Sequence, residues 1–368
     1  LDPFDQKLAA LVVRYGVHVS PGDRVVIHGP DFARDTITAI YIETLAAGGH
    51  PRVDLDCSGT EELYYTHASD EQLAFIDPAD KFILETYEKF IYLSGDYNTR
   101  KLQLVNPERI KAHEQAPGRR ELSEIFETRF VKGEMKWILA PYPCQALAQE
   151  AGMDFYSYKD FVTKALRLDA DDPTEAWRSV EADQERIVQQ LKEVETIDVT
   201  GKDTSLTMST KGRTWVNCAG HENLPDGEVF TGPIEDSVNG SIRFTYPGIF
   251  SGKEIEDIYL EFDQGKVVNF DAAKGRDLLE NILGIEGADG VGEFAIGTNY
   301  NITKFTKNML FDEKMGGTLH MALGMGYKDS GSQAMSAIHW DILKDMKEPG
   351  SEVRADGKPI YAAGEWLI

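Results

Sequence analysis

Residues 20–55 read SPGDRVVIHGPDFARDTITAIYIETLAAGGHPRVDL, and their rhythm decides the first half of the fold. Ser20-Pro21-Gly22-Asp23 is a turn, Val25-Val26-Ile27 a short continuous apolar run, and residues 36–47 carry a helical pattern that stops at Gly48-Gly49. Val53-Asp54-Leu55 follows as a second extended run. A strand, a helix ended by glycine and a strand entered after proline make a β-α-β unit, which calls for a parallel sheet covered by helices. On the N-terminal side, Leu8, Leu11, Val12 and Tyr15 stand at helical spacing up to Gly16. Towards the C-terminus, apolar runs recur at 90–93 and 137–140. His28-Gly29-Pro30-Asp31 offers one glycine after the first strand, so no phosphate-cradling loop supports nucleotide binding.

Residues 173–195 read as one long helix, with Trp177, Val180, Ile187, Val188 and Leu191 on a single stripe. Beyond Val194 the texture changes. Ile197-Asp198-Val199, Leu206-Thr207-Met208 and Trp215-Val216-Asn217 alternate between apolar and polar, and 258–262 and 266–270 flank the hairpin turn Asp263-Gln264-Gly265. A helix is expected at 275–283. The reading is therefore an α/β chain of two domains. Residues 1–195 form an open α/β domain with a mainly parallel sheet, and 196–368 an α+β catalytic domain rich in antiparallel strands.

The 368 residues include 38 Lys and Arg against 62 Asp and Glu, a net charge of −24, while 42% are hydrophobic. That apolar share builds a core and excludes a disordered chain. The charge repels phosphate backbones and anionic lipid, which argues against nucleic-acid and membrane partners. Cys57, Cys144 and Cys218 lie far apart, which fits a reducing, cytoplasmic compartment better than a disulfide scaffold or a thiolate zinc site. No apolar run approaches the ~20 residues that cross a bilayer.

The chemistry gathers in the second half. His339-Trp340-Asp341 places an imidazole and a carboxylate two residues apart, on one face of an extended segment. His320 lies among small and apolar residues in 314–324, while Glu228 and Glu293 each sit between apolar neighbours of an expected strand. Taken singly, each of these side chains is more often an ordinary core or strand residue. Together, two Glu, two His and one Asp make a nitrogen and oxygen donor set without sulfur, which suits catalytic zinc, cobalt or manganese. Five donors exceed the needs of one four-coordinate ion and suggest two ions sharing a carboxylate.

Glu-Val-Phe-Thr-Gly-Pro at 228–233, Gly-Glu-Phe-Ala-Ile-Gly-Thr-Asn at 292–299, the block 310–324 and His339-Trp340-Asp341 resemble, in that order, the aminopeptidase T/aminopeptidase S family of dimetal aminopeptidases. The resemblance implies a hydrolase that removes the N-terminal residue of peptides with a free N-terminus, and a homodimer enclosing the active sites. It implies two divalent ions per chain held by Glu228, Glu293, His320, Tyr327, His339 and Asp341, with Glu293 bridging. Tyr327 is a ligand or a donor to the substrate carbonyl. Glu313 or Glu293 is the general base, and Ser237, Asn239, Ser241 and Arg243 shape the pocket. Two other readings remain open. In a mononuclear iron(II) ring-cleaving dioxygenase, His320, His339 and Asp341 form the facial triad. In a non-enzymatic binding protein, the metal only braces the fold.

Overall fold

The β-α-β rhythm resolves into a four-stranded parallel sheet, in the order His50–Asp56, Arg24–Pro30, Lys89–Ser94 and Lys136–Pro141. The helix Arg34–Ala46 makes the first crossover. Val25, Ile27, Ile91 and Ile138 are fully buried in this layer. The N-terminal helix is regular only over Pro3–Ala10, where the Asp2 carboxylate accepts from the Phe4 N–H at 2.8 Å. It then widens into a π-helical stretch, Leu11–Gly16. Gly16 sits against Ile138, whose Cδ1 a Cβ there would meet at 2.2 Å and have to displace. In this computed structural model all 368 residues are described, and they divide into two units. One is Leu1–Thr174 with Gly220–Leu224; the other is Glu175–Ala219 with Pro225–Ile368.

The second unit holds two antiparallel sheets. The larger has eight strands, running from Lys266–Asp271 through Tyr259–Asp263, Asn239–Arg243, Thr204–Ser209, Thr196–Gly201, Glu352–Ala355 and Lys358–Ala362 to Glu365–Trp366. The hairpin read at Asp263-Gln264-Gly265 joins its first two strands, and the helix Arg276–Leu283 follows. The smaller sheet has five strands, in the order His339–Asp345, Thr318–Gly324, Val291–Gly297, Glu228–Thr231 and Val216–Cys218. A parallel α/β layer followed by an antiparallel α+β region is the expected fold class. No helix is long and apolar enough to cross a membrane.

Strand alternation gives the smaller sheet two unlike faces. Val229, Phe294, Ile296, Leu319, Met321, Leu323 and Ile342 point into one apolar core shared with Ile197, Val199, Leu206 and Ile242 of the larger sheet. The intervening positions, Glu228, Glu293, His320, His339 and Asp341, therefore share the other face. Register aligns them: Ala322 lies between Glu293 and Asp341, Ala295 beside His320, and Gly297 beside Glu228. Small residues in the middle leave room for long polar side chains around them. Gly297 also lets another segment approach, since a Cβ there would lie 2.1 Å from the Met315 carbonyl oxygen. The Gly297→Ala variant should therefore lose about 1–3 kcal/mol, the usual penalty for overpacking. This would be seen as a lower urea midpoint at unchanged slope. An unaltered midpoint would contradict this close approach.

Candidate metal centre

Each donor side chain is delivered by a strand. Glu228 opens its strand directly after the Pro225-Asp226-Gly227 turn, where Gly227 has φ +121°. Glu293 follows a register shift between Val291 and Glu293, which re-aims it towards the strand that carries His320. His320 and Asp341 lie on neighbouring strands, and His339 opens the last one. Glu228, Glu293, His320 and Asp341 are each less than a tenth exposed.

The five groups converge. His320 Nε2 lies 3.2 Å from Glu293 Oε1, 3.3 Å from Glu228 Oε2 and 4.0 Å from Asp341 Oδ1. His339 Nε2 lies 3.5 Å from Glu293 Oε2 and 3.4 Å from Asp341 Oδ1. The other nitrogen of His339, Nδ1, donates to the Met325 carbonyl at 2.7 Å, so Nε2 is the atom offered to the cluster. Glu228 Oε2, Glu293 Oε2 and Asp341 Oδ1 are buried without a hydrogen-bond partner. Buried carboxylate oxygens in that condition, facing two imidazoles, are the surroundings a divalent cation fits. Donor atoms of Glu228, Glu293 and His320 all lie within 4.8 Å of one another.

Two further predicted residues frame the cluster. Tyr327, 45% exposed, packs on His339 with ring centroids 4.8 Å apart and edge-on to Phe230 at 5.7 Å. Glu313 caps the short helix Met309–Asp312, and its Oε1 meets Lys314 Nζ at 2.8 Å. Ser237, Asn239, Ser241 and Arg243 belong elsewhere, and the expectation that they shape this pocket is corrected. They stand on or before a strand of the larger sheet. There Ser237 Oγ donates to the Ile234 carbonyl, Asn239 accepts from Gln264 N–H, and Arg243 pairs with Asp257 at 2.8 Å. The sequence reading also missed residues that matter. Lys314, 3% exposed, pairs with Glu228 and with Asp226, itself 2% exposed. Gln184 donates to the carbonyls of Cys218 and Glu228 at 2.9 and 3.1 Å and accepts from Thr298 at 2.6 Å. Gln184 falls on the apolar stripe of its helix, and a lone amide in that stripe was the available signal.

Burial pushes the Glu293 carboxyl above its ordinary range, opposed by the hydrogen bond from His320. Burial also pushes Glu313 up to about 8. Burial alone would lower the two imidazoles, but the surrounding carboxylates raise His320 to about 9 and His339 to about 10. For Asp341, burial is outweighed by His339 and the other nearby cations, which hold it at about 2.

Against known proteins, residues 4–366 match the thermophilic metalloprotease (M29) family. The chain belongs to that family. Membership makes it a metallopeptidase, a hydrolase. It is 27% identical to aminopeptidase AmpS of Bacillus subtilis (strain 168) over the full length of both chains. The solved structure of wild-type AmpT from Thermus thermophilus superposes with TM-score 0.83 at 22% identity, covering 99% of each chain. The structure of 2,5-dihydroxypyridine dioxygenase from Pseudomonas putida KT2440 shares the fold at TM-score 0.61 and 13% identity, over 99% of this chain and 96% of the other.

The proton balance of the metallopeptidase centre has a direct consequence. His320 and His339, raised to about 9 and 10, carry protons at pH 7.5 that ligation of a metal by these imidazoles would expel. Zinc or cobalt titrated into metal-free protein at pH 7.5 should release protons, read by calorimetry as heats that change with buffer ionisation enthalpy. The raised histidines stabilise the metal-free fold below about pH 6.5, and that contribution is lost as pH rises through 9 to 10. Glu313, raised to about 8, acts in the same direction. The melting temperature of metal-free protein should therefore fall from pH 6.5 to 10, and fall less with metal bound. Buffer-independent heats would contradict ligation by these imidazoles.

Proposed function

We propose that this chain is an aminopeptidase. Two divalent ions, zinc, cobalt or manganese, would be held by Glu228, Glu293 and His320 on one side and by Glu293, His339 and Asp341 on the other. The observation that carries this reading is the Glu293 carboxylate. Its Oε1 faces His320 and its Oε2 faces His339, so one carboxylate addresses two separate imidazoles. When bound, such a pair of ions supplies Lewis acidity and makes a water easy to deprotonate near neutral pH. Glu313 accepts that proton and returns it to the leaving amine, and a carboxyl held at about 8 suits this exchange. Burial and the nearby carboxylates keep the Tyr327 phenol protonated, so it donates to the substrate carbonyl from the rim of the site. The acidic surroundings anchor the free α-ammonium of a peptide. A mononuclear iron(II) dioxygenase would use only His320, His339 and Asp341. It would leave the buried, unpartnered oxygens of Glu228 and Glu293 without a role, which favours the two-ion peptidase.

The reading includes a cytoplasmic homodimer. All three cysteines are free thiols. The strand His50–Asp56 is an open sheet edge, and His50 N–H is turned inward to the Asp23 carbonyl at 2.7 Å. Alternation then turns residues 51, 53 and 55 outward, where Pro51 forfeits no bond to its neighbour. Val53 and Leu55 with Ile37, Thr38 and Tyr41 line a shallow cavity of about 280 Å³, beside the exposed Ile42 and Leu45. Two-fold antiparallel pairing about Val53 sets Arg52 of each copy opposite Asp54 of the other, so this part of the edge is complementary to itself in charge.

Glu293→Gln should leave folding intact and abolish hydrolysis of aminoacyl-nitroanilides, tested on metal-stripped protein with zinc, cobalt, manganese and iron(II) added back. Full turnover in that variant would overturn the assignment. Val53→Asp should convert a sedimenting dimer to monomer, and a persistent dimer would rule out this edge.

A further inference from the structure

Lys314 is a deeply buried cation of the centre. Its Nζ lies 2.5 Å from Glu228 Oε1, 2.8 Å from Glu313 Oε1 and 3.7 Å from Asp226 Oδ1. On the same side, the Cys218 thiol and the Asp226 and Glu228 carboxylates offer donor atoms within 4.8 Å of one another, a spacing that a divalent ion could also use. We infer that the Lys314 ammonium fills a third cation position beside the two-ion centre, fixing Glu228 and Glu313 and keeping metal off Cys218. The inference rests on Glu228 being a metal ligand and adds to that reading what orients it.

Three observations support it. First, the two oxygens of Glu228 are unequal. Oε1 is held by Lys314, while Oε2 is buried, without a hydrogen-bond partner and 3.3 Å from His320 Nε2. Lys314 thus commits one oxygen and leaves a single one for metal, making Glu228 a one-oxygen ligand. Second, the lysine is held by backbone as well as charge. The Lys314 carbonyl accepts from Asn299 N–H at 3.0 Å, and Gly297 admits the adjoining Met315 carbonyl at a distance no Cβ would allow. Third, three carboxylates, Asp226, Glu228 and Glu313, each bring an oxygen within 3.7 Å of this one ammonium, a ring of acids of the kind that a cation occupies. An ammonium in that position cannot dissociate and offers no open coordination position. It therefore fixes Glu313 without competing for substrate. Lys314 is in this sense a positioning residue.

The test is cobalt(II) titration of metal-stripped protein, following near-ultraviolet thiolate-to-cobalt absorption and cobalt retained per chain after gel filtration. Wild type should bind cobalt with no thiolate band. Lys314→Met should retain one additional ion per chain and develop the band, and the band should vanish in the double variant K314M/C218S. Should the Met variant not fold, Lys314→Gln, whose amide still donates to a carboxylate, carries the same expectation. Equal cobalt and no band in the folded Lys314 variant would overturn the inference, as would a thiolate band in wild type. Wild type retaining no cobalt at all would instead defeat the metal-centre reading beneath it.

Discussion

Five carboxylates gathered at one face of a buried sheet, three of them on its strands, set the terms for the second unit. An ionised carboxylate removed from water is costly unless it is paired, hydrogen-bonded or bound to metal. Here the compensation comes from the histidines His320 and His339 and the single ammonium of Lys314, which touch the acids at 2.5 to 4.0 Å. The raised histidines and the depressed Asp341 are two sides of one electrostatic bargain. A divalent cation meets the same demand more completely, because it can also satisfy the carboxylate oxygens left without partners.

The scaffold makes this surplus tolerable by strict division of labour between alternate residues. On each strand of the smaller sheet one set, such as Phe294 and Ile296, enters the apolar core, and the other carries the donors. Alanine and glycine at 295, 297 and 322 keep the donor face hollow, while the register shift before Glu293 aims that residue between two histidines. Gln184, from a helix, ties together the backbone at Cys218 and Glu228 and the Thr298 hydroxyl. The donors are thus placed by rigid strands and their supports.

Periodic features were the most legible in the chain. The crossover helix ended by Gly48-Gly49, the hairpin at Asp263-Gln264-Gly265 and the long helix beginning at Pro173 each carry their signal within a few neighbouring residues. His339 and Asp341 were readable because strand geometry puts residues two apart on one face. Grouping them with Glu228, Glu293 and His320 rested on their common donor chemistry and on resemblance, since nothing in spacing alone shows which distant strands are neighbours. Lys314 escaped notice because a charge run such as Asp312-Glu313-Lys314 reads as solvated surface, and Asp226 because it stands in a Pro/Gly turn, until the fold buries both. Ser237, Asn239 and Arg243 show the converse: polar residues near a motif in sequence whose hydrogen bonds belong to another sheet. The π-helical stretch at Leu11–Gly16 carries apolar residues at the same helical spacing as the α-helix before it, so local periodicity could not reveal the widening.

The chain passes between its two units three times, after Thr174, after Ala219 and after Leu224. The five residues Gly220–Leu224 are therefore an excursion from the second unit, and the chain returns at Pro225, three positions before Glu228. No single cleavage or gene truncation separates the two halves cleanly. Moving either unit as a cassette would mean rebuilding the stretch that leads into Glu228.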